Sequence, residues 1–527
     1  MRRKVTALAM ACVMAVNLFA CQSSDVVVKD EVKLEEGEVA LEKNDKVNPI
    51  AGNATKSEEL IFGGDPSVLV DGDTVYLYTG HDTSNDDQVQ RKVYMIREYL
   101  CYSTKDLKNW KSEGSVMQVN PFEVDWVTGS TSAWASQVVK HFDPKAQKDK
   151  YYLYYCSWDK TSMGKQSIGV AVADKPTGPF KDIGEPLVPG TLTESQISNW
   201  DDIDPTIWIE KDEKGEEHRY LGWGNSRFFT CELNEDMISI KDLNGDGKIT
   251  YGHDSTKGDV LPREVSAFTE APWFYRRQNE QGEYYGPYYL FYASGWREKM
   301  AYSTTDNLLT GNYDFGQSIM YPTTTSNTNH EAVFDFKGKT YFVYHNGSLP
   351  GGNGYRRSAC IRELKFNEDG SVEPMQESTI GLTGTACSIE GNEGNRIAHA
   401  NFNNATGDQM YPYKNVAIAD DFNGDDEDSQ WVLVDGKADE SKAAYVSIQS
   451  ENKSGLYITV NEDESVTLAQ DDDATDETAK AQTFRTMQGL DSKNGVSFES
   501  VRFPGKYLMM KEHVLCLGDG TEKEAST

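Results

Sequence analysis

From Ile61 to about Leu382 the chain alternates apolar and polar positions in short runs of strand length, each broken by turn chemistry. Pro66–Val70 is followed by Asp71-Gly72-Asp73 and then by Thr74-Val75-Tyr76-Leu77-Tyr78. Apolar residues at period two on both sides of an Asp-Gly turn predict a β-hairpin. The same unit recurs at Tyr151–Tyr155, at Thr206–Ile209 with Tyr220–Trp223, at Trp273–Tyr275 with Tyr288–Tyr292, and at Ala332–Phe334 with Thr340–Tyr344. Five units at a spacing of roughly 60 to 70 residues predict a five-bladed β-propeller of four-stranded blades with inserted loops. The first strand of each blade then lines the central channel, so shared chemistry converges on the residues that open each unit.

After Leu382 the pattern changes. A Gly/Asn-rich stretch (Ser388–Gly407) and an acidic run (Asp420–Asp428) precede a second β-rich region from Trp431 onward. Two of its segments echo each other: Val446–Ser450 leading to Gly455–Ile458, and Val496–Ser500 leading to Gly505–Leu508. A repeat of about fifty residues predicts a trefoil-like module. The expected fold class is all-β, a five-bladed propeller followed by a smaller β-rich, trefoil-like domain.

The first residues read differently. Met1-Arg2-Arg3-Lys4 and the apolar stretch Val5–Ala20 form a basic region and a hydrophobic region too short to span a membrane comfortably. Leu18-Phe19-Ala20-Cys21 resembles the bacterial lipobox, which implies cleavage before Cys21 and its lipidation; the alternative is an ordinary secretory signal. Residues 22–55, charged and without a steady apolar period, are expected to form a flexible tether. The expected division is 1–21 lipoprotein signal peptide, 22–55 tether, 56–382 propeller, 383–430 connecting segment and 431–527 trefoil-like module. The expected location is the cell envelope, anchored through lipid alone.

The net charge of −32 excludes nucleic acid as a partner, since phosphate binding needs clustered Lys and Arg. A neutral polymer or a cation suits it, or the acidity serves solubility only. The cysteines beyond Cys21 show no CxxC or CxxH spacing, so no zinc site is indicated, and disulfides stay unassigned.

In order, the five units open with Gly63-Gly64-Asp65-Pro66-Ser67, Ser132-Ala133-Trp134-Ala135-Ser136, Asp202-Ile203-Asp204-Pro205-Thr206, Phe268-Thr269-Glu270-Ala271-Pro272-Trp273 and Asn329-His330-Glu331-Ala332-Val333. Carboxylates and a histidine therefore face one channel. Cleaving a glycosidic bond needs two carboxyl groups, one ionised and one protonated, on opposite sides of the anomeric carbon. A third acid nearby can set which of them keeps its proton.

These openings resemble those of glycoside hydrolase family 43, which comprises arabinofuranosidases, xylosidases and arabinanases on a five-bladed propeller. The resemblance spans about residues 60 to 380. It implies Asp65 as general base, Glu270 as general acid and Asp204 as modulator of the acid's pKa, with inversion at the anomeric carbon. It also implies substrate contacts from Trp134 and from Arg357 in the Arg356-Arg357-Ser358 turn, and a central cation or water reached by His330. Ala271 stands where the family usually has Gly, and Ser136 departs from its Trp-Ala-Pro pattern.

The reading is an exo-acting α-L-arabinofuranosidase acting on arabinoxylan- or arabinan-type plant polysaccharide. β-Xylosidase, endo-arabinanase and a non-catalytic glycan-binding surface lipoprotein are the alternatives. No cofactor is required for the chemistry. Asp242, Asn244 and Asp246 have the spacing of a calcium loop whose twelfth position is His253 rather than Glu, so a structural calcium and a plain acidic turn both stand. The C-terminal repeats resemble the arabinofuranosidase-B-type sugar-binding trefoil. Thr459-Val460, Met509-Met510 and Ala481 replace its usual sugar-gripping residues, so lectin and structural module both stay open.

Overall fold

The computed structural model describes residues 34–50, 61–129, 131–193, 199–252, 257–279, 281–391, 396–399, 416–419, 426–470, 475–490, 495–511 and 514–521. Cys21 and His253 lie outside them. Residues 62–364 form the five blades of a propeller. The first comprises Phe62–Asp71, Thr74–Asp82, Ile96–Thr104 and Lys111–Gln118, paired antiparallel in that order. Four-stranded blades also start at Ser136, Thr206 and Glu270, and a three-stranded fifth blade runs through Ala332–Phe336, Lys339–Asn346 and Ser358–Leu364. Each inner strand packs on the next, and Ala332–Phe336 packs back on Phe62–Asp71, which closes the ring. The Gly63 N–H donates to the Arg357 carbonyl at 2.6 Å across that closure.

Blades stacked face to face bury both faces of their middle strands, so these strands read as unbroken apolar runs. In Lys148–Asp159 every residue from Tyr151 to Ser157 is buried. Tyr78, Tyr99, Tyr155 and Trp126 fill the space between the first and second blades, and Tyr154, Trp223 and Phe229 fill the next. Each such ring contributes about 2 kcal/mol of burial.

The expected tether is corrected over 34–50, which packs along the folded domains. Val39 exchanges hydrogen bonds with Thr486, Lys43 pairs with Asp435 at 2.6 Å, and Ile50 is buried in the core between the first, fourth and fifth blades. Asn48 is the fastener: its amide accepts from the Ile361 N–H at 3.0 Å and donates to the Ile361 and Ser378 carbonyls. A charged stretch without period can still be ordered when its backbone and a few side chains satisfy exposed strand edges.

The expected connecting segment 383–430 is corrected too, over its described residues. Cys387 exchanges backbone hydrogen bonds with Trp431, Arg396–His399 pairs with Val416–Ala419, and Ile389 and Ile397 join the C-terminal core around the fully buried Trp431. The boundary therefore falls nearer Thr385. The two echoing segments form similar hairpins, Tyr445–Ser450 with Leu456–Val460 and Val496–Ser500 with Lys506–Lys511, bridged by Phe484–Gln488. This module rests on the fifth blade: Ser378 Oγ donates to Glu451, and Gln470 Nε2 donates to the Gly347 and Gly352 carbonyls. No disulfide joins any two of the six described cysteines. No described helix is long and apolar enough to cross a membrane.

Asn48→Ala leaves the buried Ile361 N–H without its acceptor, and is expected to destabilise the protein by roughly 2 kcal/mol. Chemical denaturation checks this; an unchanged midpoint would show that the N-terminal segment is not fastened there.

Candidate active site

Asp65, Asp204 and Ala271 each precede a proline at the start of an inner strand, and each has a positive φ, 51°, 57° and 57°. Left-handed backbone costs a residue with a Cβ about 1–2 kcal/mol. The same strain at three equivalent openings marks a shared device. The register of the first and fourth blades shifts across it, between Gly64 and Ser67 and between Glu270 and Trp273. Such bulges re-aim a side chain. Ala271 adopts the conformation that glycine would favour, so the departure at this position leaves the turn intact.

Arg357 organises the first carboxylate. Its Nη1 and Nη2 donate to Asp65 at 2.6 and 3.0 Å, and its Nε and Nη2 donate to Asp82 at 2.8 and 3.0 Å. The guanidinium lies over the Tyr94 ring, 4.8 Å from the centroid. Four of the five Arg357 N–H groups face carboxylates, and the residue is 2 % exposed, so its first partners are Asp65 and Asp82. Burial alone would raise the Asp65 pKa, but the adjacent Arg357 charge outweighs it and holds the carboxyl below its usual value. Asp82, more deeply enclosed, is raised by burial against the pull of the same arginine.

His345 Nδ1 accepts the Asp65 N–H at 3.2 Å, and its Nε2 lies 2.9 Å from the Thr328 carbonyl, which assigns the proton to Nε2. Burial lowers the His345 pKa to about 3 and the His330 pKa to about 4, so both rings are neutral at pH 7. His330 Nδ1 stands 4.0 Å from Asp204.

The other carboxyls are all raised above their usual values. Burial, then repulsion from Glu270 and Asp65, pushes Asp204 well above its usual value, while it accepts the Ala271 N–H at 2.9 Å. Glu270 is raised by burial, partly offset by hydrogen bonds from Glu298 and from Asn225 Nδ2 at 2.6 Å. Glu331 is fully buried, neither of its oxygens has a partner among the described residues, and burial pushes it well up.

The structure thus brings Asp65, Asp204, Glu270, His330 and Arg357 together. Trp134 is partly buried between the blade interfaces, edge-on to Trp158 with centroids 5.9 Å apart. The Asp242-Asn244-Asp246 loop belongs to an insertion of the third blade. There Asp242 accepts the Gly245 and Gly247 N–H groups, Asn244 accepts that of Asp246, and Asp246 that of Lys248. Asp82, Asn225 and Glu298 were missed by the sequence reading. Hairpin register was the available signal: Phe62 pairs with Asp82, Thr206 with Gly222 and Glu270 with Ala293, so the end of each second strand returns to the opening of the first.

Gly64 leaves room for the arginine, since a Cβ there would lie 2.3 Å from Arg357 Cζ. Gly64→Ala is expected to cost roughly 3 kcal/mol of stability at pH 7 by displacing a buried ion pair. Asp65 has a depressed folded-state pKa, so its contribution is present above the unfolded value and is lost as pH falls through the folded one. The penalty should therefore shrink as pH drops through that range in denaturation series; a constant penalty would assign it to packing alone.

Residues 61–372 match the model of glycosyl hydrolases family 43, and residues 402–526 match that of the α-L-arabinofuranosidase B domain. The chain is 27% identical to a β-D-galactofuranosidase of Aspergillus niger, over 63% of this chain and 89% of that protein. It is 27% identical to a xylosidase/arabinosidase of Bacteroides ovatus, over 59% of this chain and 94% of that one. Among solved structures, an α-L-arabinofuranosidase from Clostridium thermocellum is 30% identical, with a TM-score of 0.44 over 59% of this chain and 92% of that one. The first model spans more than half of the 527 residues: the protein is a glycosidase hydrolysing O-glycosyl bonds, and the chain belongs to glycosyl hydrolase family 43.

Proposed function

We propose that the enzyme is an inverting, exo-acting α-L-arabinofuranosidase that removes arabinofuranosyl residues from arabinoxylan- or arabinan-type plant polysaccharide. The observation that carries this reading is the opposite treatment of two carboxyl groups in one site. Arg357 holds the Asp65 carboxyl below its usual pKa, while burial raises that of Glu270 and so favours its protonated form. Environments that push two pKa values apart assign base and acid. Asp65 takes a proton from water as that water attacks the anomeric carbon. Glu270 gives its proton to the glycosidic oxygen as the C–O bond breaks. Asp204 lies beside Glu270, and the two carboxyls resist carrying a negative charge each, so one proton stays on the pair.

Both proton transfers run between carboxyl groups, water and sugar oxygens, so no cofactor enters. Trp134 would border the sugar with its exposed face, and the Asp242-Asn244-Asp246 loop would hold calcium only as a structural ion. His330 would meet a cation or a water at the propeller centre. The choice of arabinose is supported by the α-L-arabinofuranosidase B domain and by likeness to the Bacteroides xylosidase/arabinosidase. Cys21 as a lipidated first residue would hold the enzyme at the bacterial envelope, beside its polymer substrate.

Release of arabinose and xylose from wheat arabinoxylan, arabinan and the two 4-nitrophenyl glycosides tests the sugar. Arabinose as the product is expected; xylose, or internal cleavage of arabinan, would replace the reading by β-xylosidase or endo-arabinanase. No turnover of any of them by the folded protein would favour the glycan-binding alternative. Glu270→Ala is expected to lower turnover of the polymer by roughly 10²–10⁴ and to spare the nitrophenyl substrate more, because that leaving group needs less protonation.

The profile of kcat/KM against pH is expected to be bell-shaped. Its acid limb should lie below the ordinary aspartate range, where Asp65 becomes protonated, and its alkaline limb above the ordinary glutamate range, where Glu270 loses its proton. Asp65→Asn should abolish nearly all turnover and move the alkaline limb of any residual activity to lower pH, because the Asp65 charge raises Glu270.

A further inference from the structure

The loop after Ser294 in the fourth blade carries Glu298, which has no task in the mechanism above. Glu298 is 2 % exposed and reaches Glu270 because Glu270 pairs with Ala293, so the loop turns back over the inner strand's opening. Its Oε2 accepts the Asn329 N–H at 2.6 Å, which ties it to the fifth blade, and its carboxyl is hydrogen-bonded to that of Glu270. A carboxylate has no donor of its own, so a hydrogen bond joining two carboxyl groups requires a proton on one of them. Without it, two buried negative charges would meet with no cation between them.

The groups facing the pair add negative charge more than they remove it. Asp65 and Asp204 act on it, Arg357 is the cation that also reaches Glu270, and the neighbouring Arg297 is turned away to the Thr323, Thr324 and Ser326 carbonyls.

We propose that Glu298 is a positioning residue that stays protonated through the catalytic cycle and donates its O–H to Glu270, so that the carboxylate formed when Glu270 protonates the leaving group is already hydrogen-bonded. This rests on the reading of Glu270 as the acid. The Glu270 proton goes to the glycosidic oxygen as the C–O bond breaks, Glu298 keeps its own, and Glu270 is reprotonated from solvent after product leaves. Burial and the Glu270 charge hold the Glu298 carboxyl well above its usual range, and its hydrogen bond draws Glu270 back down against burial. The donor therefore keeps a buried acid strong enough to give up its proton, since a catalytic acid works best near the operating pH.

The test compares pH profiles of kcat/KM for the wild type, Glu298→Ala and Glu298→Gln, on a series of aryl glycosides of the sugar that the enzyme turns over. Glu298→Ala removes the donor: the alkaline limb is expected to move to higher pH by about one unit, and kcat to fall about ten-fold, most for the poorest leaving groups. Glu298→Gln restores an N–H donor and should return both toward wild type.

An alkaline limb displaced to lower pH in Glu298→Gln would overturn the proposal, because it would mean that an ionised neighbour had been removed. So would a fall in kcat with no limb shift in Glu298→Ala, which would leave a structural role only. If Glu298→Ala fails to fold, Glu298→Gln alone decides by the direction of its limb. The parent reading fails separately, if the loss in Glu270→Ala does not grow with leaving-group basicity.

Discussion

The site depends on one buried cation. Arg357 is held between Asp65 and Asp82, and each of the three is costly to bury without the others. The arrangement needs the ring to be closed, because Arg357 comes from the last blade and both carboxylates from the first. Propeller closure and the ionised state of Asp65 are thus one constraint. Gly64 belongs to it, since any side chain there would occupy the guanidinium's place.

Around that cation the remaining acids are arranged by exclusion. One arginine serves Asp65 and Asp82, whereas Asp204, Glu298 and Glu331, which are buried, and Glu270, which is half-buried, have no arginine or lysine in hydrogen-bonded contact among the described residues. Burial favours the neutral form of a carboxyl unless a positive charge or several donors compensate. The openings of the first, third and fourth blades differ little in backbone, each bending through a positive φ before proline, yet those of the first and third present carboxyls shifted in opposite directions. The difference lies in what the neighbouring blade supplies.

The C-terminal module reaches this region through the loop between the last two strands of the fifth blade. Gln470 holds the Gly347 and Gly352 carbonyls, Asn346 donates to Glu377, and the loop runs on to Arg356 and Arg357. Arg356 then pairs with Asp86 of the first blade at 3.0 Å. The module is therefore mechanically continuous with the approach to the arginine, and the ordered segment 34–50 ties both domains from the other side.

The amino-acid sequence by itself determined the five units, their openings and the identity of Asp65, Asp204 and Glu270, because strand period, turn residues and proline are local properties of the chain. It also made the second β-rich domain legible through its repeated hairpin. It misjudged residues 34–50 and, among the described residues of 383–430, Cys387, Ile389 and Arg396–His399, whose places come from hydrogen bonds and packing with distant strands that no local period reveals. Asp82, Asn225 and Glu298 stayed hidden because each stands at the end of a second strand or just beyond it and meets its partner only through register. The charge state of every acid in the site was decided by tertiary structure alone: it depends on burial and on one arginine placed 292 residues from the carboxylate that it holds, and electrostatic energy follows distance in space rather than along the chain.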